Sequence, residues 1–139
     1  MPDIKHLARI HSSPERIYQA LTTAEDIRGW WTRDAVLDSK VGGTGEFGFF
    51  DRQVVAKVRV DELTPPTRVS WKTLSSGAPG WDGTTITFDL RAEDGATLLL
   101  LAHRGFAKAD EGYDQTAKGW ARNLLSLHRY VEAGEGRPH

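Results

Sequence analysis

DEGYDQTAKGWARNLLSLHRYVEA, residues 110–133, is the stretch that decides the fold. Its large apolar residues fall at Tyr113, Ala117, Trp120, Leu124, Leu127 and Val131, alternately four and three positions apart. On an α-helix that spacing keeps one stripe on one side. Lys118, Arg122, Asn123, Ser126 and Arg129 lie between the stripe members, free to stay in water. The pattern predicts an amphipathic helix from Asp110 to Ala133, stopped by Gly134. One such helix cannot bury its own stripe. A concave apolar surface has to receive it.

Working back from the helix, that surface reads as strands. Thr97 to Ala102 is nearly continuous apolar sequence, Leu98 through Leu101, and fits a strand covered on one side and partly sheltered on the other. Glu93-Asp94-Gly95 signals a hairpin turn. In Thr84 to Arg91 the inward set is Ile86, Phe88 and Leu90. Val69 and Trp71 alternate with Arg68, Ser70 and Lys72 in the strand before, and Ser75 to Gly83 between the two reads as a flexible loop. Gln53 to Leu63 places Val54, Ala56, Val58 and Val60 on one face and ends at Thr64-Pro65-Pro66, where prolines leave the ladder. Asp51-Arg52 is its turn back to Gly45–Phe50, which carries Phe47 and Phe49. Gly42-Gly43 marks a turn after a short strand, Ala35 to Asp38.

The front of the chain adds a strand over Ile4 to His11 and two short helices. Ser13 is placed to cap the first helix, Pro14 suits its first position, and Glu15 complements its dipole. Thr23 caps the second, whose apolar members are Ile27, Trp30 and Trp31. Strand, two helices, a run of strands, then one long helix is an α+β order.

Composition narrows the function classes. The chain has 139 residues, 18 basic and 19 acidic, for a net charge of −1, with no block of one sign. That argues against the electrostatic footprint of nucleic-acid or anionic-membrane binding. With no cysteine, disulfides, thiolate chemistry and cysteine metal sites are excluded. No apolar run reaches membrane-spanning length, and a cytoplasmic protein is expected. One domain over residues 1–134 is expected, with 135–139 a disordered tail.

Several motifs then resemble a known family. Ser13-Pro14-Glu15-Arg16-Ile17-Tyr18-Gln19-Ala20-Leu21 followed by Trp30-Trp31 is similar to the opening of START-related (SRPBCC) helix-grip domains. Within them it resembles the branch named after the activator of the heat-shock protein 90 ATPase. Gly42-Gly43, Pro66-Thr67-Arg68-Val69-Ser70-Trp71, His103-Arg104-Gly105-Phe106, and Gly119 to Leu127 ending in Tyr130-Val131-Glu132 match in the same order, over residues 4 to 133. The resemblance implies a curved antiparallel sheet of six to seven strands gripping the C-terminal helix. It also implies a cavity between them that often holds a hydrophobic small molecule. The fold hosts carriers, receptors, cyclases and co-chaperones, so it does not fix an activity.

Five tryptophans are the compositional oddity. Trp71 and Trp120 are expected in the helix–sheet interior, Trp30 and Trp31 at a wall, and Trp81 on the loop as a lid. Flat aromatic walls suit a planar or lipid-like ligand, with indole N–H groups as orienting donors, and core filling is the competing reading. The expected lining is Trp30, Trp31, Phe49, Val58, Trp71, Trp81, Phe88, His103, Tyr113, Trp120 and Leu124. His103 is the one polar pocket candidate, against a hydrogen-bonded structural role. His6, His11, His103, His128 and His139 show no pair of histidines at ligand spacing, so no metal site is expected. No cofactor is expected either. Glu46 and Asp114 are candidates for the cavity mouth, without a nucleophile or second carboxylate to work with. Gly42-Gly43-Thr44-Gly45 lacks the Lys-Ser/Thr of a phosphate loop and is a turn.

Three readings result. The first is a binding protein for a hydrophobic or aromatic small molecule. The second is an enzyme of the polyketide cyclase type, with His103 as the first candidate. The third is a chaperone-ATPase activator; eukaryotic activators carry an additional N-terminal domain, whereas this chain opens directly on the first strand. A hydrophobic small molecule leads the expected partners, followed by a second copy of the chain and a chaperone.

Overall fold

The computed structural model describes residues 2–77 and 80–139. Met1, and Ala78 and Pro79 of the expected loop, lie outside the described residues. The elements follow in the order β1 (Ile4–Ile10), α1 (Pro14–Thr22), α2 (Ala24–Trp30), β2 (Asp34–Leu37), β3 (Thr44–Phe49), β4 (Val54–Thr64), β5 (Arg68–Ser75), β6 (Thr85–Glu93), β7 (Ala96–Arg104) and α3 (Glu111–Ala133). The strands form one curved antiparallel sheet of seven in the order β1-β7-β6-β5-β4-β3-β2. This is the α+β helix-grip arrangement that the helix stripe required. No helix among the described residues is long and apolar enough to cross a membrane.

The caps fall where the sequence put them. Ser13 accepts from the Arg16 N–H at 3.2 Å, and Asp110 accepts from the Tyr113 N–H at 3.1 Å. Thr23 serves two helices, closing α1 through its N–H to Gln19 and opening α2 through its hydroxyl to the Asp26 N–H. Gly134 ends α3 in the left-handed region at φ 82°, which glycine adopts without a steric penalty. Asp94 and Gly95 both have positive φ, as a two-residue hairpin loop demands.

Alternation sorts the sheet. Val58, Val60, Val69, Trp71, Ile86, Phe88, Leu99 and Leu101 are buried in one continuous core with α1, α2 and α3. At β1 the period of two turns Leu7 outward, 68% exposed, while Ile4 and Ile10 face in. Three elements are joined at one point by Asp26 on α2. Its carboxylate accepts from the Tyr130 hydroxyl of α3 at 2.5 Å and from Arg16 of α1 at 3.0 Å. Burial opposes its ionisation, but the hydroxyl, the guanidinium and Thr23 together hold it below the usual carboxylate range.

Two expectations are corrected here. Residues 135–139 do not fray. The His139 N–H donates to the Trp31 carbonyl at 2.8 Å, and the Arg33 N–H donates to the His139 carbonyl at 3.1 Å. The tail can lie this close because of Gly136, where a Cβ would stand 2.6 Å from the Gly29 carbonyl oxygen and 2.9 Å from Ser126 Oγ. Asn123 and Ser126, read as water-facing, are accordingly buried beneath it. Ser126 donates to the Trp30 carbonyl at 2.6 Å and accepts from the Arg137 N–H at 2.7 Å. Both side chains are polar because both have polar partners to meet.

Candidate functional site

Between α3 and the β3–β4 end of the sheet lies a cavity of about 320 Å³. That meets the roughly 300 Å³ from which small-molecule sites are usually built. The sheet contributes Phe49, Val54 and Ala56, and the α2 cap contributes Trp31. The β5–β6 loop contributes Ser76, Gly77 and Trp81, and the tail contributes His139. From α3 come Gly112, Gln115, Thr116, Gly119, Trp120 and Asn123.

The α3 set is a second stripe, beside the apolar one. Gly112, Thr116, Gly119 and Asn123 recur at helical spacing and are small or polar, so the helix leaves room there rather than filling it. A Cβ on Gly119 would meet no atom within 4 Å. Around the space stand the rings. Trp31 and Trp120 lie 5.3 Å apart, Trp120 and Trp81 stack at 6.4 Å with planes 11° apart, and Phe49 lies 5.8 Å from Trp31. No Asp, Glu, Lys or Arg side chain is among the described lining residues.

The mouth is shaped by a costly turn. Phe50, Asp51 and Arg52 all have φ between 53° and 66°, a region that disfavours side-chain-bearing residues by about 1–2 kcal/mol each. Arg52 holds the turn by donating to Asp34 at 2.7 Å and to Glu46 at 2.9 Å. The turn leaves Phe50 72% exposed at the cavity edge.

Of the expected lining, Trp31, Phe49, Trp81 and Trp120 meet at the cavity. Trp30, Val58, Trp71 and Phe88 are instead fully buried core, and Leu124 packs with them. Tyr113 turns away, its ring against Phe106 and its hydroxyl donating to the Asp3 carbonyl at 2.8 Å. Glu46 is engaged by Arg52, and neither it nor Asp114 lines the cavity. Trp81 is half-buried and donates its indole N–H to Thr116 at 2.9 Å, which ties the loop to α3.

His103 lies behind this wall and is completely buried. Its Nδ1 accepts from the Trp120 indole N–H at 3.0 Å, so Nε2 carries the proton and meets Thr84 Oγ1 at 2.8 Å. The Thr84 hydroxyl passes its own hydrogen to the Trp81 carbonyl at 2.5 Å. Both ring nitrogens of His103 and the Thr84 hydroxyl thus have partners, and burial lowers the imidazole pKa to about 3. The residue is a neutral structural histidine, not a pocket group. The Trp71 indole N–H, by contrast, is buried without an acceptor among the described residues.

Sequence reasoning missed Phe50, Val54, Ala56, Ser76, Gly77, Gly112, Gln115, Thr116, Gly119, Asn123 and His139. A signal existed for the helix set, whose small and polar residues recur one step from the apolar stripe. For His139 there was none, because only tertiary folding brings the tail back. There Nε2 of His139 donates to Asn123 Oδ1 at 3.2 Å. Partial burial, with Arg122 nearby, keeps its imidazole below its ordinary pKa.

Comparison with known proteins matches residues 11–132 to the family described as Activator of Hsp90 ATPase homolog 1-like protein. The mouse Activator of 90 kDa heat shock protein ATPase homolog 1 is 28% identical over 111 residues, which cover 80% of this chain and 31% of that protein. The chain thus spans about a third of the curated relatives it matches. The solution structure of the Aha1 dimer from Colwellia psychrerythraea is 33% identical, with a TM-score of 0.88, over 98% of this chain and 100% of that one. DynU16, from the dynemicin biosynthetic locus, shares the fold at a TM-score of 0.77 and 18% identity, over 96% of this chain and 48% of that one.

Proposed function

We propose, from the premise that the chain belongs to the Activator of Hsp90 ATPase homolog 1-like family, that it is a cytoplasmic binding protein for an uncharged, flat, largely apolar small molecule. The observation that carries this reading is the ring of Trp31, Phe49, Trp81 and Trp120 around about 320 Å³ of space with no charged side chain in its described lining. An apolar cavity of that size offers area burial and ring stacking to a ligand. It offers a cation or a carboxylate no partner. Gln115, Thr116 and Asn123 supply donors and acceptors on one side, so a ligand with one polar edge is favoured over a pure hydrocarbon.

The test is a panel of planar aromatic, lipid and charged compounds read by thermal shift and native mass spectrometry. One-to-one complexes with neutral aromatic members support the reading. A panel in which only charged members bind, or none does, sinks it.

A second copy of the chain is the other partner we propose, on the strength of the dimeric Colwellia relative at 33% identity over nearly the whole chain. Light scattering across a concentration series tests it. A strictly monomeric mass at the highest concentration overturns it. Activation of a chaperone ATPase is the competing reading, supported by the 28% identity to the mouse activator. Stimulation of chaperone ATP hydrolysis by this chain would favour it over a ligand carrier.

A further inference from the structure

We propose that His11, His128 and Glu132 form a surface site for a divalent transition-metal ion of the zinc, nickel or copper type. His128 and Glu132 are one helical turn apart on α3 and point the same way. His11 follows the last residue of β1 and approaches from the facing element. The ligating atoms of the three all lie within 4.8 Å of one another. His11 Nδ1 is 3.6 Å from Glu132 Oε2, and His128 Nε2 is in direct contact with the same oxygen. A tetrahedral ion with bonds of about 2.0–2.1 Å sets its ligand atoms about 3.3 Å apart, so only modest rotations separate the cluster from a coordination triangle.

The surrounding groups fit that use. The carboxylate is already positioned, because Glu132 Oε2 accepts from the His11 backbone N–H at 2.8 Å. Two imidazoles and one carboxylate are a borderline donor set, suited to zinc, nickel or copper over magnesium or calcium. All three residues reach solvent, so an ion arrives without any opening of the fold. Three protein ligands leave a coordination position for water.

Arg9 is the competitor. Its Nη1 lies 3.1 Å from His11 Nε2, and its Nε lies 4.0 Å from Glu93. Donation from Arg9 makes Nε2 the lone-pair nitrogen and leaves the proton on Nδ1, the nitrogen that faces Glu132. Metal binding at Nδ1 moves that proton to Nε2 and releases Arg9 to Glu93. Arg9 therefore weakens the site twice, through tautomer and through charge. Because His11 belongs to the start of the chain and the other ligands to its last helix, a bound ion ties β1 to α3.

The experiment titrates the full chain with zinc at neutral pH against a chromophoric chelator. Cobalt absorption serves as a second readout of nitrogen and oxygen coordination. One equivalent is expected, weakened about tenfold or more in each of His11→Ala, His128→Ala and Glu132→Gln, and unchanged in His6→Ala. Arg9→Ala is expected to bind more tightly than the natural chain, an effect that misfolding cannot imitate. Zinc is expected to raise the unfolding temperature of the natural chain and not that of the His11→Ala/His128→Ala double variant. Binding no tighter than about 1 mM overturns the proposal. So does unchanged affinity in the double variant, or unchanged affinity in Arg9→Ala.

Discussion

The indole N–H of Trp120 donates to Nδ1 of His103 at 3.0 Å, and that bond fixes His103 as a neutral imidazole in the core. A protonated ring would set two N–H groups against each other at this contact. Folding therefore excludes the proton that an unfolded histidine binds readily. Stability is fully present above pH 6.5 and falls as the pH drops from 6.5 toward the folded-state value of about 3. The slope contributed is at most about 1.4 kcal/mol per pH unit. His103→Phe should remove this slope and, by leaving the Trp120 donor without an acceptor, cost roughly 1–3 kcal/mol at neutral pH. Urea unfolding of both proteins at pH 7 and pH 5 measures both effects.

Two buried tryptophans should respond unequally to the same change. Trp120→Phe deletes a satisfied donor and strands His103 Nδ1, whereas Trp71→Phe deletes an N–H that has no acceptor among the described residues. Both lose ring area, so both destabilise. Trp120→Phe should be the more costly by about 1–3 kcal/mol, the penalty of the orphaned nitrogen. Equal midpoints in denaturant would contradict that assignment.

Gly119 separates the helix from the cavity. A methyl there meets open space, so Gly119→Ala should stabilise α3 by about 0.5–1 kcal/mol and leave a neutral aromatic ligand bound. Gly119→Leu should fill the cavity and abolish binding, with the far-ultraviolet dichroism of the natural chain. Ligand titrations of the two variants side by side make the comparison.

Asp26 joins three helices through Arg16 and Tyr130. Tyr130→Phe should cost about 1.5–3 kcal/mol, the range for a hydrogen bond to a charged group. The folded carboxylate sits below its ordinary pKa, so this stability is present above the unfolded carboxylate value and is lost as the pH falls through the folded one. The gap between natural chain and variant should therefore narrow in acid. Thermal unfolding across that range detects it.

Gly136 holds the tail in place. Gly136→Val would drive a side chain into the Gly29 carbonyl and Ser126, so residues 135–139 should detach. Amide exchange at His139 and Arg33, whose N–H groups are bonded in the tail, should accelerate sharply. The cavity loses His139 from its wall, so ligand affinity should change as well.

The sequence was most legible where local chemistry acts alone. Ser13, Thr23, Asp110 and Gly134 end their helices as capping rules require, and the alternation in Gln53–Leu63 and Thr84–Arg91 sorts buried from exposed side chains. The site was half legible. Trp31, Phe49, Trp81 and Trp120 were expected at the cavity, but Trp71 and Phe88 share their inward alternation and yet are packed solid. Periodicity separates inside from outside; it does not separate a filled interior from an empty one. That distinction depends on small residues such as Gly119 opposite the rings, and on a tail whose return no local pattern encodes.

The pairing of β1 with β7 sets residue 4 beside residue 103 and residue 10 beside residue 97. As the chain leaves a ribosome, β1 has to wait through the synthesis of two helices and five strands before its neighbour β7 exists. The hairpins β3–β4, β4–β5, β5–β6 and β6–β7 are free to form as they emerge, because each joins strands adjacent in the chain. Closing β1 onto the sheet costs the entropy of the longest loop in the fold, and contacts at such separation slow folding. Until that closure, the β7 edge stands uncovered, so the nascent chain is most exposed to misassociation between the emergence of β7 and its pairing with β1.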